Sequence, residues 1–128
     1  MPLNNTIQTF IAGGAITEFA LVSLDGAGKV QITTVGTDKA CVGIAQRAVA
    51  SGDAVEVVTA GLSKVIAGGA ITAATDPRLA VTGTTGKVET VATGDFAVCR
   101  MISNTNQFTA ADGDQILVMF VGPTVVEP

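Results

Sequence analysis

The sequence lacks histidine, tryptophan and tyrosine altogether, and only 14% of its residues are charged. Without histidine, the side chain that most often serves as a general base or a metal ligand is missing, so an enzyme is not the expected class of protein. The seven lysines and arginines are scattered singly, in a chain with a net charge of −4. Nucleic-acid binding requires a basic patch, so this function is not expected either.

Long apolar runs and a secretory leader are also missing. The mean hydropathy is +0.52, but no apolar run reaches the roughly 18 residues that a membrane-spanning helix needs. The opening residues, MPLNNTIQTF, have neither the positive nor the apolar region of a signal peptide. We therefore expect that the protein does not associate with a membrane and that it is made in a reducing cytoplasm. There, Cys41 and Cys99 are expected to be small buried core residues, although a disulfide between the two halves of the chain stays possible.

The residues that are abundant favour β-structure. Ala, Thr, Val and Gly make up 68 of the 128 residues, while Leu occurs only six times. Because good helix formers other than Ala are scarce, the composition predicts an all-β protein with many tight turns. We expect a compact small β-barrel or sandwich, with helix limited to a turn near Asp76–Arg78.

An internal repeat organises the chain. The segment Ala12–Thr17 returns 55 residues later as Ala67–Thr72. Further along, Gly-Lys-Val at 28–30 and Cys41 return after 58 residues, and Gly-Asp at 52–53 returns after 61 residues. The four collinear matches predict two tandem pseudo-repeats, 12–61 and 67–121, with two short insertions in the second. They form a single β domain over residues 12–122, preceded by an N-terminal arm at 1–11 and followed by an extended tail at 123–128.

Each predicted repeat has the same order of turns and strands. The predicted strands of the first repeat are Phe19–Leu24, Val30–Thr34, Ala40–Arg47 and Ala54–Thr59, with Leu62–Ile66 leading to the second repeat. The predicted strands of the second repeat are Leu79–Val81, Lys87–Val91, Phe96–Ile102 and Gln115–Val121.

No motif in the chain points to catalysis, a cofactor or a metal. None of the serines lies in a Gly-x-Ser-x-Gly sequence, and no histidine can activate them. The glycines before Lys29 suggest a phosphate-binding loop, but Ser23 and Val30 stand where that motif needs Gly and Ser or Thr. The aspartates lie in predicted turns without the remaining ligands of a calcium loop. We expect no catalytic, cofactor-binding or metal-binding residues.

Two segments have the character of interaction surfaces. The arm, Pro2–Ile11, alternates polar residues with β-formers, so it is expected to pair with another protein, to add a strand to its own barrel, or to stay disordered. The strand 116–121 is apolar on both faces, so both faces must be covered. The cover is either intramolecular or a second subunit, and in the second case the interface residues are Ile116, Val118 and Phe120.

The arrangement resembles a family of known proteins. An arm precedes two copies of Ala-Gly-x-x-Ile, and each is followed by Gly-Lys-Val. The strand Val42–Ala45 and the stretch Ala50–Val57 complete the pattern in the first copy, while Val98–Met101 departs from it in the second. Over residues 12–121, the chain resembles the small Gly/Ala-rich duplicated capsid cement, or head decoration, proteins of tailed bacteriophages.

That resemblance implies a non-enzymatic virion protein on the outer capsid surface. It would clamp neighbouring major capsid subunits, as a homotrimer, and bind neither nucleic acid nor a cofactor. The residues expected to contact the capsid are Pro2, Leu3, Asn4, Asn5, Thr6, Ile7, Gln8, Thr9, Phe10 and Ile11. Two alternatives stay open: a β-clip-like module for a sugar-type ligand, and an accessory subunit of an enzyme complex with a modification on Lys29 or Lys87.

Overall fold

The computed structural model describes residues 6–36, 38, 40–72, 77–92, 94–103 and 109–125. The regular secondary structure of these residues consists of β-strands, which confirms the all-β prediction. In chain order the strands are β1 (Thr6–Ile11), β2 (Leu21–Leu24), β3 (Val30–Ile32), β4 (Cys41–Ala45), β5 (Ala54–Ile66), β6 (Ile71–Thr72), β7 (Arg78–Thr82), β8 (Lys87–Thr90), β9 (Phe96–Ser103), β10 (Thr109–Ala110) and β11 (Gln115–Val125).

One curled antiparallel sheet contains most of the strands. Its order is β3-β2-β4-β5-β11-β9-β7-β8, and β1 pairs with β5 beside this path, while β6 and β10 form a separate pair. Parallel bridges join Ala12 to Val30 and Ala67 to Val88. Val30 lies in β3 and Val88 lies in β8, the two strands at the ends of the sheet. Because each of these end strands is bridged to the residue that follows β1 or β5, each end of the sheet curls towards a closed barrel.

The strand partners correspond between the two halves of the chain. We call residues 6–60 the N-terminal half and residues 61–125 the C-terminal half. Strand β1 pairs with the first part of β5, residues 54–60, and β11 pairs with the second part, residues 61–66. The two pairings have equivalent registers. The pair Ile11–Ala54 corresponds to Ile66–Gln115, and the pair Ile44–Val58 corresponds to Arg100–Met119. In the same way, Leu21–Ile44 corresponds to Arg78–Arg100, and Val22–Gly43 corresponds to Leu79–Cys99.

The loops that connect these strands also carry matching hydrogen bonds. The amide of Gly13 donates to the carbonyl of Val30 at 2.7 Å, as Gly68 does to Val88. The Gly-Asp loops correspond too, because Gly52 and Gly113 share a φ of +91°, where glycine is favoured.

Two clusters of buried side chains form the core. The N-terminal core contains only residues of the N-terminal half: Ala12, Ile16, Ala20, Val22, Val30, Ala45, Val49, Val55 and Val57. The C-terminal core consists mainly of residues from the C-terminal half, but Leu21, Cys41 and Ile44 belong to it. These three side chains therefore join the two halves through apolar burial.

Several predicted boundaries differ from the structure. The two strands predicted at 54–59 and 62–66 are one strand, β5, in which Gly61 adopts a φ of +111° without interrupting the ladder. Arg78 begins β7, so it does not lie in a helical turn, and Asp76 lies outside the described residues. The extended tail begins inside β11, which continues to Val125.

Candidate interaction surfaces

The side chains predicted for a subunit interface on β11 face the core of this chain. Ile116, Val118 and Phe120 are 1%, 0% and 2% exposed, and all three belong to the C-terminal core. Because side chains alternate across a strand, the other face of β11 points outwards. There, Val121 is 57% exposed. The chain's own core therefore covers Ile116, Val118 and Phe120, whereas the outer face is not covered at Val121.

The N-terminal arm is in part a strand of the chain's own sheet. Thr6–Ile11 pair with Ala54–Ala60 of β5, whereas Pro2, Leu3, Asn4 and Asn5 lie outside the described residues. Most of β1 is exposed, with Ile7 at 53% and Ile11 at 43%, and only Phe10 packs against the N-terminal core. Among the described strands β1 pairs with β5 alone. Its other edge can therefore accept a strand from another protein.

The outer face of the C-terminal half carries two arginines directly opposite each other. Arg78 on β7 and Arg100 on β9 are register partners, Arg100 is also opposite Met119 of β11, and both arginines are exposed. Like charges at directly opposed positions destabilise a ladder. Sequence analysis missed this face, because it aligned Cys41 with Cys99. The ladders instead align Gly43 with Cys99 and hence Ile44 with Arg100.

A small cavity lies where the two halves meet. It has a volume of about 270 Å³, and its lining includes Ala20, Ile66 and Gly86 together with the charged residues Glu18 and Lys87. Small-molecule sites typically measure about 300–1,000 Å³. The cavity is slightly smaller than that range and gives little support to a sugar-type ligand.

The two thiols are buried and free. Burial raises the pKa of Cys41 to about 11, and burial followed by the proximity of Cys41 raises the pKa of Cys99. A thiol that stays protonated is a poor nucleophile and a poor metal ligand. The Thr33 hydroxyl, which is hydrogen-bonded to Ser23, partly offsets the rise in the pKa of Cys41.

The aspartates stabilise turns. The carboxylate of Asp25 accepts hydrogen bonds from the Gln31 amide and from the backbone amides of Ala27 and Lys29, which together lower its pKa. Asp114 accepts one from the Ala111 amide at 2.9 Å. Over the described ranges no group of three or more His, Cys, Asp or Glu side chains is placed to hold a metal ion. The described part of the chain contains no helix long and apolar enough to cross a membrane.

Comparison with known proteins identifies a structural relative. No family model matches the sequence, and no curated protein matches it. The fold is similar to the crystal structure of the head fiber gp8.5 N base of bacteriophage phi29, with a TM-score of 0.64 and 16% sequence identity. The match covers 97% of this chain and 100% of that chain. At this identity the similarity establishes a common fold.

Proposed function

We propose that this chain is a structural protein of a bacteriophage virion and binds the outer surface of the capsid. As a homotrimer, it bridges neighbouring major capsid subunits and so stabilises the mature shell. The similarity to a head fiber base over nearly the whole of both chains is the observation that supports this function. The largely exposed β1, which pairs with β5 alone among the strands that the structure describes, supports a surface-binding role. We assign no catalytic activity to the chain.

Such a protein stabilises the shell through differential affinity. If it binds the expanded shell and not the unexpanded one, each bound copy shifts the equilibrium towards the expanded form. Many identical weak contacts on one lattice then add through avidity. A rigid sheet suits this role, because binding to a fixed geometry costs less when the binding surface is already ordered.

We also propose that the two halves are tandem copies of one structural unit. The matched ladders and loop hydrogen bonds support this proposal. In this arrangement β1 is the counterpart of the second part of β5, so the first copy includes Thr6–Ile11.

The first test is a copy-number count by quantitative mass spectrometry on purified particles. We expect a number comparable to that of the major capsid protein. A handful of copies per particle would instead indicate a tail or portal component. Complete absence from particles would contradict the virion role.

The second test asks whether the β1 edge binds the shell. Shells that lack the protein are mixed with the wild-type chain, with a chain that lacks residues 2–5, and with the Ile7→Asp/Ile11→Asp variant, and bound protein is measured by sedimentation. We expect the wild-type chain to bind expanded shells only, and the β1 variant to bind about tenfold more weakly, equivalent to about 1.4 kcal/mol. Val35→Asp is the matched control, because Val35 is also an exposed apolar residue, at 50%. Equal binding by all variants would contradict a role for β1.

A further inference from the structure

The outer face of the sheet in the C-terminal half is mostly apolar. Strands β5, β11 and β9 are neighbours there, and their side chains alternate between the C-terminal core and the outside. An antiparallel sheet with one face in water usually carries polar residues on that face. Here six outward residues are apolar, and Val121 and Ile102 are 57% and 37% exposed. The six are Leu62, Ile66, Ile102, Leu117, Met119 and Val121.

The charges on this face have one sign. Lys64 lies opposite Leu117, Arg100 lies opposite Met119, and both cations are exposed. The strand segments 61–66, 96–103 and 115–125 contain no aspartate or glutamate, although the chain has eleven of them. Within the described ranges neither cation pairs with a carboxylate, whereas Arg78, beyond Arg100 on β7, already has an interaction partner. The uncompensated charges of the face are therefore those of Lys64 and Arg100.

The two cations lie at opposite corners of the apolar surface. Strand β11 separates them, and their partners Leu117 and Met119 are two residues apart on it. From the spacing of strands and of residues along a strand, the Cα atoms of Lys64 and Arg100 lie roughly 12 Å apart. That is about the spacing of residues i and i+4 on one face of an extended segment. We call these two cations and the six apolar residues the basic apolar face.

The corresponding part of the sheet in the N-terminal half is covered. By register, Val58 corresponds to Met119 and Ile44 to Arg100, and they are only 2% and 0% exposed. Ile44 belongs to the C-terminal core, so the other half of the chain packs on it. This part of the sheet is thus a packing surface within the chain. An arginine at the position of Ile44 favours a cover that carries negative charge.

We propose that the basic apolar face binds an acidic segment of the major capsid protein, in which two carboxylates flank large apolar side chains. The carboxylates pair with Lys64 and Arg100 and orient the segment, while the apolar side chains between them provide buried area. Exposed apolar surface with a polar rim is typical of such protein contacts. The contact rests on the proposed function, because that function supplies the partner. It uses a face of the C-terminal half, and so differs from the β1 edge.

The first test measures binding to shells that lack the protein, by sedimentation. The wild-type chain is compared with Lys64→Glu and with Arg100→Glu. Lys29→Glu is the charge-matched control, because Lys29 is an exposed cation in the turn between β2 and β3. We expect Lys64→Glu and Arg100→Glu each to bind about tenfold more weakly. Added salt should weaken the wild-type chain more than either variant, because it screens the charge pairs.

This comparison separates the two proposals. If the wild-type chain binds shells and both variants bind as Lys29→Glu does, the basic apolar face is overturned and the capsid role stands. If the wild-type chain does not bind shells, the capsid role is contradicted, and the capsid segment with it. Circular dichroism confirms that each variant is folded.

The second test identifies the segment by crosslinking. Val121→Cys is labelled with a benzophenone maleimide, and Val35→Cys is the control, because Val35 is 50% exposed. Cys41 and Cys99 are buried and so are not labelled. We expect photocrosslinks from position 121, and not from position 35, to a capsid peptide with two carboxylates around apolar residues. Crosslinks to a second copy of this chain, crosslinks to a capsid segment without carboxylates, or equal yields from the two positions would each overturn the proposal.

Discussion

The hydroxyl oxygens of Ser23 and Thr33 lie 2.6 Å apart, and both side chains are buried, at 7% and 1% exposure. Each hydroxyl satisfies the other in a region that is otherwise apolar. We expect Thr33→Val to destabilise the fold by about 1–3 kcal/mol, because it leaves the Ser23 hydroxyl buried with one partner fewer. Urea denaturation measures the loss. The double variant Ser23→Ala/Thr33→Val should lose less than the sum of the two single variants, and strict additivity would contradict the coupling.

Gly43 lies where no side chain fits. A Cβ there would lie 2.5 Å from Cγ1 of Val57 and still closer to the backbone carbonyl oxygen of Val58. We expect Gly43→Ala to destabilise the fold by at least about 1–3 kcal/mol, because the clash is with backbone that cannot move independently. Gly26→Ala is the matched control and should change stability by less than about 0.5 kcal/mol. Similar melting temperatures for the two variants would contradict this prediction.

Leu21 joins the two halves and Leu24 does not, although both lie in β2. Leu21 is fully buried in the C-terminal core and Leu24 is 41% exposed. Truncating a buried leucine removes its contacts and leaves a cavity, so Leu21→Ala should cost about 2–5 kcal/mol. We expect Leu24→Ala to cost less than about 1 kcal/mol, measured by the same chemical denaturation. If Leu24→Ala lowered the free energy of unfolding more than Leu21→Ala does, Leu21 would not be the residue of β2 that joins the two halves.

The buried thiols make the fold sensitive to alkaline pH. Burial raises the pKa of Cys41 to about 11 and also raises that of Cys99. In the unfolded chain both thiols ionise near their ordinary pKa of about 8.5. The full free energy of unfolding is therefore present below about pH 8.5. It falls as the pH rises towards 11, by up to about 1.4 kcal/mol per pH unit for each thiol.

Thermal melts between pH 7 and 10.5 measure this effect. The Cys41→Ala/Cys99→Ala variant is less stable overall, but its stability should fall less steeply above pH 9. Parallel slopes for the variant and the wild type would contradict a contribution from the thiols. In the native wild type, both thiols should also resist alkylation at pH 8, and react fully in denaturant.

Much of the fold can be predicted from turn residues and composition. The Gly-Gly and Gly-Asp pairs lie at the loops where the chain closes each half, and the scarcity of helix formers indicates the all-β class. The single long β5 was not predictable, because Gly61 is typical of a break and only tertiary context shows that its positive φ is accommodated within a strand.

The interaction surfaces are harder to predict, because they depend on which face of a strand turns inwards. An apolar strand such as 116–121 indicates cover on both faces, but its sequence does not distinguish the core face from the outer face. The position of Arg100 opposite Arg78 depends on register. Aligning the cysteines hides the correspondence between Ile44 and Arg100, while aligning Gly43 with Cys99, as the ladders do, reveals it.

Strand β5 has a consequence for how the chain unfolds. Its first part is the ladder partner of β1 and β4, and its second part is the ladder partner of β11. Because one strand belongs to both ladders, neither half can open fully without disturbing the other. We therefore expect the two halves to unfold as one cooperative unit, and the hydrogen-bonded amides of β5 to exchange only when the whole domain unfolds.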